Sequence, residues 1–94
     1  MMIDKIRKEI DQVDHEIVRD IAHRQELVSE MAKIKISKNV PVHDEKRTRE
    51  VLEAVFNRAV EYKIDPVSVQ KIFEVLIEMS EERQREHSGE GNLP

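Results

Sequence analysis

No glycine or proline interrupts the chain between Ile3 and Lys38, and that stretch constrains the fold more than any other feature. Within it Ile3, Ile6, Ile10, Val13, Ile17, Asp20, Arg24, Leu27, Met31 and Ile34 recur at steps of three and four. This is a helical, heptad-like seam carrying two polar intruders, with no trace of strand alternation. At about 1.5 Å per residue such a helix spans roughly 54 Å. A compact chain of 94 residues is only about 32 Å across. A helix overshooting its own domain must bury its far end on something else. The heptad spacing points to a second copy of the same chain, in a two-fold homodimer. The alternative is a kinked helix that folds back within one chain, but no breaker residue supplies the kink.

Away from the C-terminus, the prolines are Pro41 and Pro66, and they set the remaining organisation. Asn39-Val40-Pro41-Val42 ends the first helix, because the residue before proline is biased away from the helical region. Asp44 is the expected N-cap of a second helix with the stripe Val51, Leu52, Val55, Phe56, Ala59 and Val60. Asp65-Pro66 reads as N-cap and first helical residue of a third, whose stripe is Val69, Ile72, Phe73, Leu76 and Ile77. The three stretches run over roughly 3–38, 44–63 and 66–87. The expected fold is all-α, three helices with a very long first one, forming one helical domain over 1–87. Residues 88–94, which hold both glycines, are expected to be a frayed tail. No further fused domain is expected after the third helix.

Composition decides which partners to consider. Charged residues make up 38% of the chain, against about 25% in an average domain, so disorder is the first possibility to test. Leu, Ile, Val and Phe number 27 of 94 residues, above the roughly 20% below which disorder is the default. A core is therefore available, but a thin one. The net charge of −4 and only three aromatic residues argue against nucleic-acid binding, which calls for a basic face and stacking platforms. No apolar run approaches the length of a membrane span, and the N-terminus lacks a secretory signal. With no cysteine, thiolate catalysis, disulfides and zinc–sulfur sites are excluded, and the cytoplasm is the expected location. His15, His23, His43 and His87 form no metal-ligand spacing.

Polar residues on apolar stripes carry the functional signal, since burying them without partners is costly. Arg24 sits on the seam between Ile17 and Leu27. Lys35, eleven residues later, projects within about 20° of the same direction. Ser80 and Gln84 continue the line of Phe73 and Ile77, while Asp44, Thr48, Val51 and Val55 share a side of the second helix with Arg47 beside them. Taken singly, each has a bland explanation: Arg24 would pair with Asp20 at i−4, and Gln84 would mark the end of the core. Together they suggest cations and hydrogen-bond donors converging on a pocket inside a helical bundle. Arg7 lies about 26 Å from Arg24 along the axis and on another face, so one chain cannot close both on a small ligand. An antiparallel partner helix would bring Arg7 of one subunit to Arg24 of the other.

These residues resemble the all-helical class of chorismate mutase over about 4–86. The resemblance rests on Ile6-Arg7-Lys8-Glu9-Ile10-Asp11-Gln12-Val13-Asp14, Arg24-Gln25-Glu26-Leu27-Val28 and Lys33-Ile34-Lys35. It continues through Pro41-Val42-His43-Asp44-Glu45-Lys46-Arg47 and Phe73-Glu74-Val75-Leu76-Ile77-Glu78-Met79-Ser80 to Gln84. The specificity lies in order and spacing, because short basic patterns are common on helices. The resemblance implies an intertwined homodimer with two sites that rearranges chorismate to prephenate, on the route to phenylalanine and tyrosine, with no cofactor and no metal. It implies that Arg24 and the Arg7 of the partner subunit clamp the two substrate carboxylates. Lys35 and Gln84 would face the breaking ether oxygen, and Ser80 and Arg47 would support carboxylate binding. Asp44 would orient the substrate hydroxyl, largely through its backbone. One position departs: Thr48 stands where the family usually has a Glu that accepts from that hydroxyl, so a shorter contact is expected. Two other readings are an isochorismate–pyruvate lyase of the same fold and a non-enzymatic helical interaction module. The lyase fits the Ser80 and Gln84 pattern less well, and the module leaves Arg24, Ser80 and Gln84 unexplained.

Overall fold

The computed structural model describes residues 1–89, and every regular element among them is helical. Helix α1 is Met2–Ser37, α2 is Glu45–Glu61 and α3 is Pro66–Ser88. The expected tail falls largely on 90–94, outside the described residues; Ser88 is still helical and Gly89 caps α3 in the left-handed conformation, φ 84°. None of the described helices is long and apolar enough to cross a membrane.

Local chemistry accounts for every helix end but the first, where Met1 offers α1 no side-chain cap. Asp44 caps α2 by accepting from the Arg47 amide at 3.0 Å. Asp65 accepts from Val67 N–H at 3.3 Å, with Pro66 at the first position of α3. The closing turns of α1 and α2 share one design that the sequence hid. After α1, Val40 N–H bonds the Lys35 carbonyl and Asn39 N–H that of Ile36; after α2, Ile64 bonds Ala59 and Lys63 bonds Val60. This paired pattern needs a left-handed residue, here Asn39 (φ 56°) and Lys63 (φ 58°) in place of the usual glycine.

Helix α1 runs unbroken, which removes the kinked alternative. The molecule measures 55 × 26 × 23 Å with a radius of gyration of 16.6 Å, against about 12 Å for a compact chain of this length. Helix α3 packs on both α1 and α2, which do not pack on each other. Ala32 and Ala59 are the closest-packed points, 1% and 2% exposed, since small side chains let the axes approach. Gln25 ties α1 to the Met79 carbonyl of α3 at 3.3 Å, and Gln70 ties α3 to the Leu52 carbonyl of α2 at 3.0 Å.

Several stripe residues face elsewhere than expected. Val60 and Ile72 are exposed, each one position round its helix from a covered neighbour, Ala59 and Phe73. On α1 the intrachain face is Ile21, Arg24, Gln25, Val28, Ala32 and Lys35, whereas Leu27, Met31 and Ile34 stay largely exposed. These three seam residues lie one position back from Val28, Ala32 and Lys35, about 100° round the helix. Every residue before Ile21 is exposed, and Ile3, Ile6, Ile10, Val13 and Ile17 form an apolar stripe about half open to solvent.

Candidate active site

A cavity of about 440 Å³ opens where the C-terminal half of α1, the start of α2 and the last turns of α3 meet. Its size falls in the range of small-molecule pockets, about 300–1,000 Å³. Leu27, Val28, Met31, Val51 and Ile77 make its apolar walls, and Arg24, Lys35, Asp44, Arg47, Thr48, Ser80, Glu81 and Gln84 supply its polar groups. Seven of the eight residues expected at the site from the sequence therefore meet in one place. Arg7 does not: it is exposed on the uncovered part of α1.

The two cations on α1 are held by neutral oxygens. Arg24 donates from Nη1 to the Leu76 carbonyl at 3.2 Å and to the Ser80 hydroxyl, which itself donates to Leu76 O at 2.9 Å. Arg24 makes no ion pair among the described residues, so the expectation that Asp20 would satisfy it does not hold. A position facing α3 brings it to polar groups fifty and more residues away instead. Burial, and secondarily the charge of Arg47, pull the Arg24 guanidinium below the ordinary arginine value. Lys35 Nζ donates to Gln84 Oε1 at 2.9 Å and to the Val42 carbonyl at 3.1 Å. Gln84 is 4% exposed, so it belongs to the site's wall and is more than the last residue of a core.

The α2 side is wetter. Arg47 is 70% exposed and pairs with Glu50 at 3.6 Å, a contact of small energetic weight at such exposure. Asp44 lines the cavity while spending a carboxylate oxygen on the cap, and Thr48 is half-buried. The site as a whole offers three cations, two hydroxyls, a carboxamide and two carboxylates on an apolar floor, and its cations and donors suit a small anion.

Sequence reasoning missed three contributors. Glu81 lines the cavity; its position between Ser80 and Gln84 on one face of α3 was the available signal. The Val42 carbonyl and the His43 ring, which contacts Glu81 and Glu45, depend on the path of the connection between α1 and α2, which no periodicity encodes. A second cavity of about 450 Å³ lies behind Lys35 and Gln84, toward Ile36, Val40 and Ser88.

Comparison with known proteins agrees with this geometry. The chain is 33% identical over 89 residues to a chorismate mutase of Methanocaldococcus jannaschii, covering 92% of this chain and 90% of that one. It is 39% identical over 51 residues to a bifunctional chorismate mutase/prephenate dehydratase of Aquifex aeolicus, 54% of this chain and 14% of the relative. An Escherichia coli protein of the same bifunctional description is 29% identical over 75 residues, 80% of this chain and 19% of the relative. The match to the family described as chorismate mutase type II runs over residues 6–85, from the first turns of α1 to the pocket end of α3. With α2 and nearly all of α1 and α3 inside that match, the chain belongs to the chorismate mutase type II family.

Proposed function

We propose that the chain is a chorismate mutase acting as a homodimer, with each pocket completed by Arg7 of the other subunit. The reaction is a unimolecular rearrangement: the ether C–O bond of chorismate breaks as a new C–C bond forms, and prephenate is an isomer with no atom gained or lost. No nucleophile or proton transfer is needed. The protein's work is to hold the reactive conformer and to stabilise negative charge growing on the ether oxygen. Arg24 and the partner's Arg7 clamp the carboxylates, with Arg47 and Ser80 in support. Lys35 and Gln84 meet the ether oxygen, Asp44 orients the substrate hydroxyl through its backbone, and Thr48 reaches it less directly than a Glu would. The cytoplasm fits this role.

The observation that carries this reading is the convergence of Arg24, Lys35, Ser80 and Gln84 on one half-apolar cavity, with both cations on neutral acceptors. An incoming dianion then has no internal ion pair to break on α1. The dimer is supported by the open stripe from Ile3 to Ile17 and by the separation of Arg7 from the cavity. The test is turnover: purified chain should deplete chorismate absorbance with stoichiometric prephenate. A folded dimer that turns over no chorismate and binds no bicyclic transition-state analogue overturns the reading; salicylate formed from isochorismate would reassign it as a lyase.

A further inference from the structure

A carboxylate is an odd wall for a pocket that binds a dianion, yet Glu81 lines the cavity with its side chain only 18% exposed. Its Oε1 lies 2.6 Å from His43 Nδ1 and its Oε2 3.6 Å from an Arg85 guanidinium nitrogen. The other ring nitrogen of His43, Nε2, lies 2.9 Å from Glu45 Oε2. Ionised carboxylates only accept hydrogen bonds, and a neutral imidazole carries a single N–H. Two such contacts at once therefore require the imidazolium. His43 directly follows Val42, whose carbonyl holds the Lys35 ammonium, and precedes the Asp44 cap. The charged groups around it are Lys35 from α1 through Val42, Glu45 from α2, and Glu81 with Arg85 behind it from α3.

We propose that His43 is a positioning residue for the reaction: its imidazolium neutralises and holds the Glu81 carboxylate at the pocket wall, so substrate affinity falls as His43 loses its proton. This rests on the reading of the cavity as the dianion site. The two carboxylates, Glu81 first and Glu45 second, hold His43 above the ordinary histidine value. The charged form thus persists past the pH at which a free histidine is neutral, and is lost as pH rises through the raised value. Beyond that point the ring can donate to one carboxylate only. Whichever carboxylate it keeps, Glu81 loses the neutralising charge of His43 and retains only that of Arg85, so its own charge opposes the substrate. Restoring a unit charge about 7 Å from a bound anion, under screening between that of protein surface and water, changes affinity by about three- to tenfold.

The experiment is the pH dependence of KM and kcat for chorismate from about pH 6 to about pH 9, a range over which substrate carboxylates stay ionised. Thermal melts at each pH check that every protein remains folded. The wild-type chain should show KM rising about three- to tenfold with kcat nearly level. His43→Gln should have the high KM already at the acid end. His43→Arg, which keeps a cation, and Glu81→Gln, which removes the charge to be shielded, should both have low KM with no step. A level KM in the wild type, or a step that survives in His43→Gln or Glu81→Gln, overturns the proposal while leaving the mutase reading intact. Absence of turnover in the folded wild type overturns both.

Discussion

Replacing Ile10 with Asp attacks the part of α1 whose residues are all exposed in a single chain. Ile10 is 52% exposed, and complete burial of an isoleucine side chain contributes about 1.5–3 kcal/mol. Covering the remaining half in a dimer is therefore worth about 1 kcal/mol, and about 2 kcal/mol once two-fold symmetry repeats it. Introducing Asp also forces two carboxylates toward an apolar seam, which costs several kcal/mol more. A combined loss of at least about 5 kcal/mol raises the dimer dissociation constant by more than about a thousandfold. The seam has the surface for such an interface: the chain exposes 7704 Å², roughly 2,000 Å² beyond a compact monomer of its mass. Among the described residues the buried apolar side chains of one chain are Val28, Ala32 and Ala59, so dissociation should also cost helicity. Sedimentation velocity, far-ultraviolet circular dichroism and turnover, each across a concentration series, should decline together in Ile10→Asp and recover together at high concentration. His15→Asp, on the opposite side of α1, should leave all three near wild type. An Ile10→Asp protein that stays dimeric at nanomolar concentration refutes the seam, and a monomer with full turnover refutes the shared site.

Three further outcomes can be checked on single variants. Lys35→Ala should lower kcat about 10²- to 10³-fold, the usual effect of removing one donor to a developing oxyanion, and should raise KM because the Val42 carbonyl loses its partner; a kcat within threefold of wild type would remove Lys35 from the ether oxygen. Thr48→Glu should lower KM several-fold with kcat nearly unchanged, since a carboxylate reaches the substrate hydroxyl directly; if neither constant moves, this position does not touch the hydroxyl. At Lys63, whose φ of 58° is strained for a side chain, melting temperatures should fall in the order Gly, Lys, Val, with Val lower than Lys by about 1 kcal/mol of stability; a Val variant as stable as the Gly variant contradicts the left-handed cap.

Helix number, caps and the meeting of seven site residues were legible because each depends on spacing within a helix or on a capping residue next to it. Asp44, Asp65 and Pro66 announce their helices locally, and Ser80 with Gln84 betray themselves by polarity on an apolar line. What periodicity could not supply is which of two overlapping faces of α1 turns inward. The seam through Leu27, Met31 and Ile34 and the packed face through Val28, Ala32 and Lys35 differ by one residue, and only the docking of α3 chooses between them. The stripes also overran their contacts at Val60 and Ile72, at the edge of the faces that Ala59 and Phe73 present inward. Glu81 and His43 escaped for a different reason: their meaning lies in the connection after α1, where Asn39 takes a glycine's conformation without being a glycine.

The uncovered first half of α1 has a genetic reading as well as a physical one. In the proposed dimer, where Arg7 and Arg24 serve opposite pockets, damage to the two ends of one helix would be separable between chains. A subunit defective only in Arg7 and one defective only in Arg24, assembled together, put both lesions in one pocket and leave the other whole. Random mixing makes about half the dimers of this kind, so a quarter of all pockets survive from two individually inactive alleles. The same arithmetic sets the limit on dominance: a defective copy spoils pockets it only half builds.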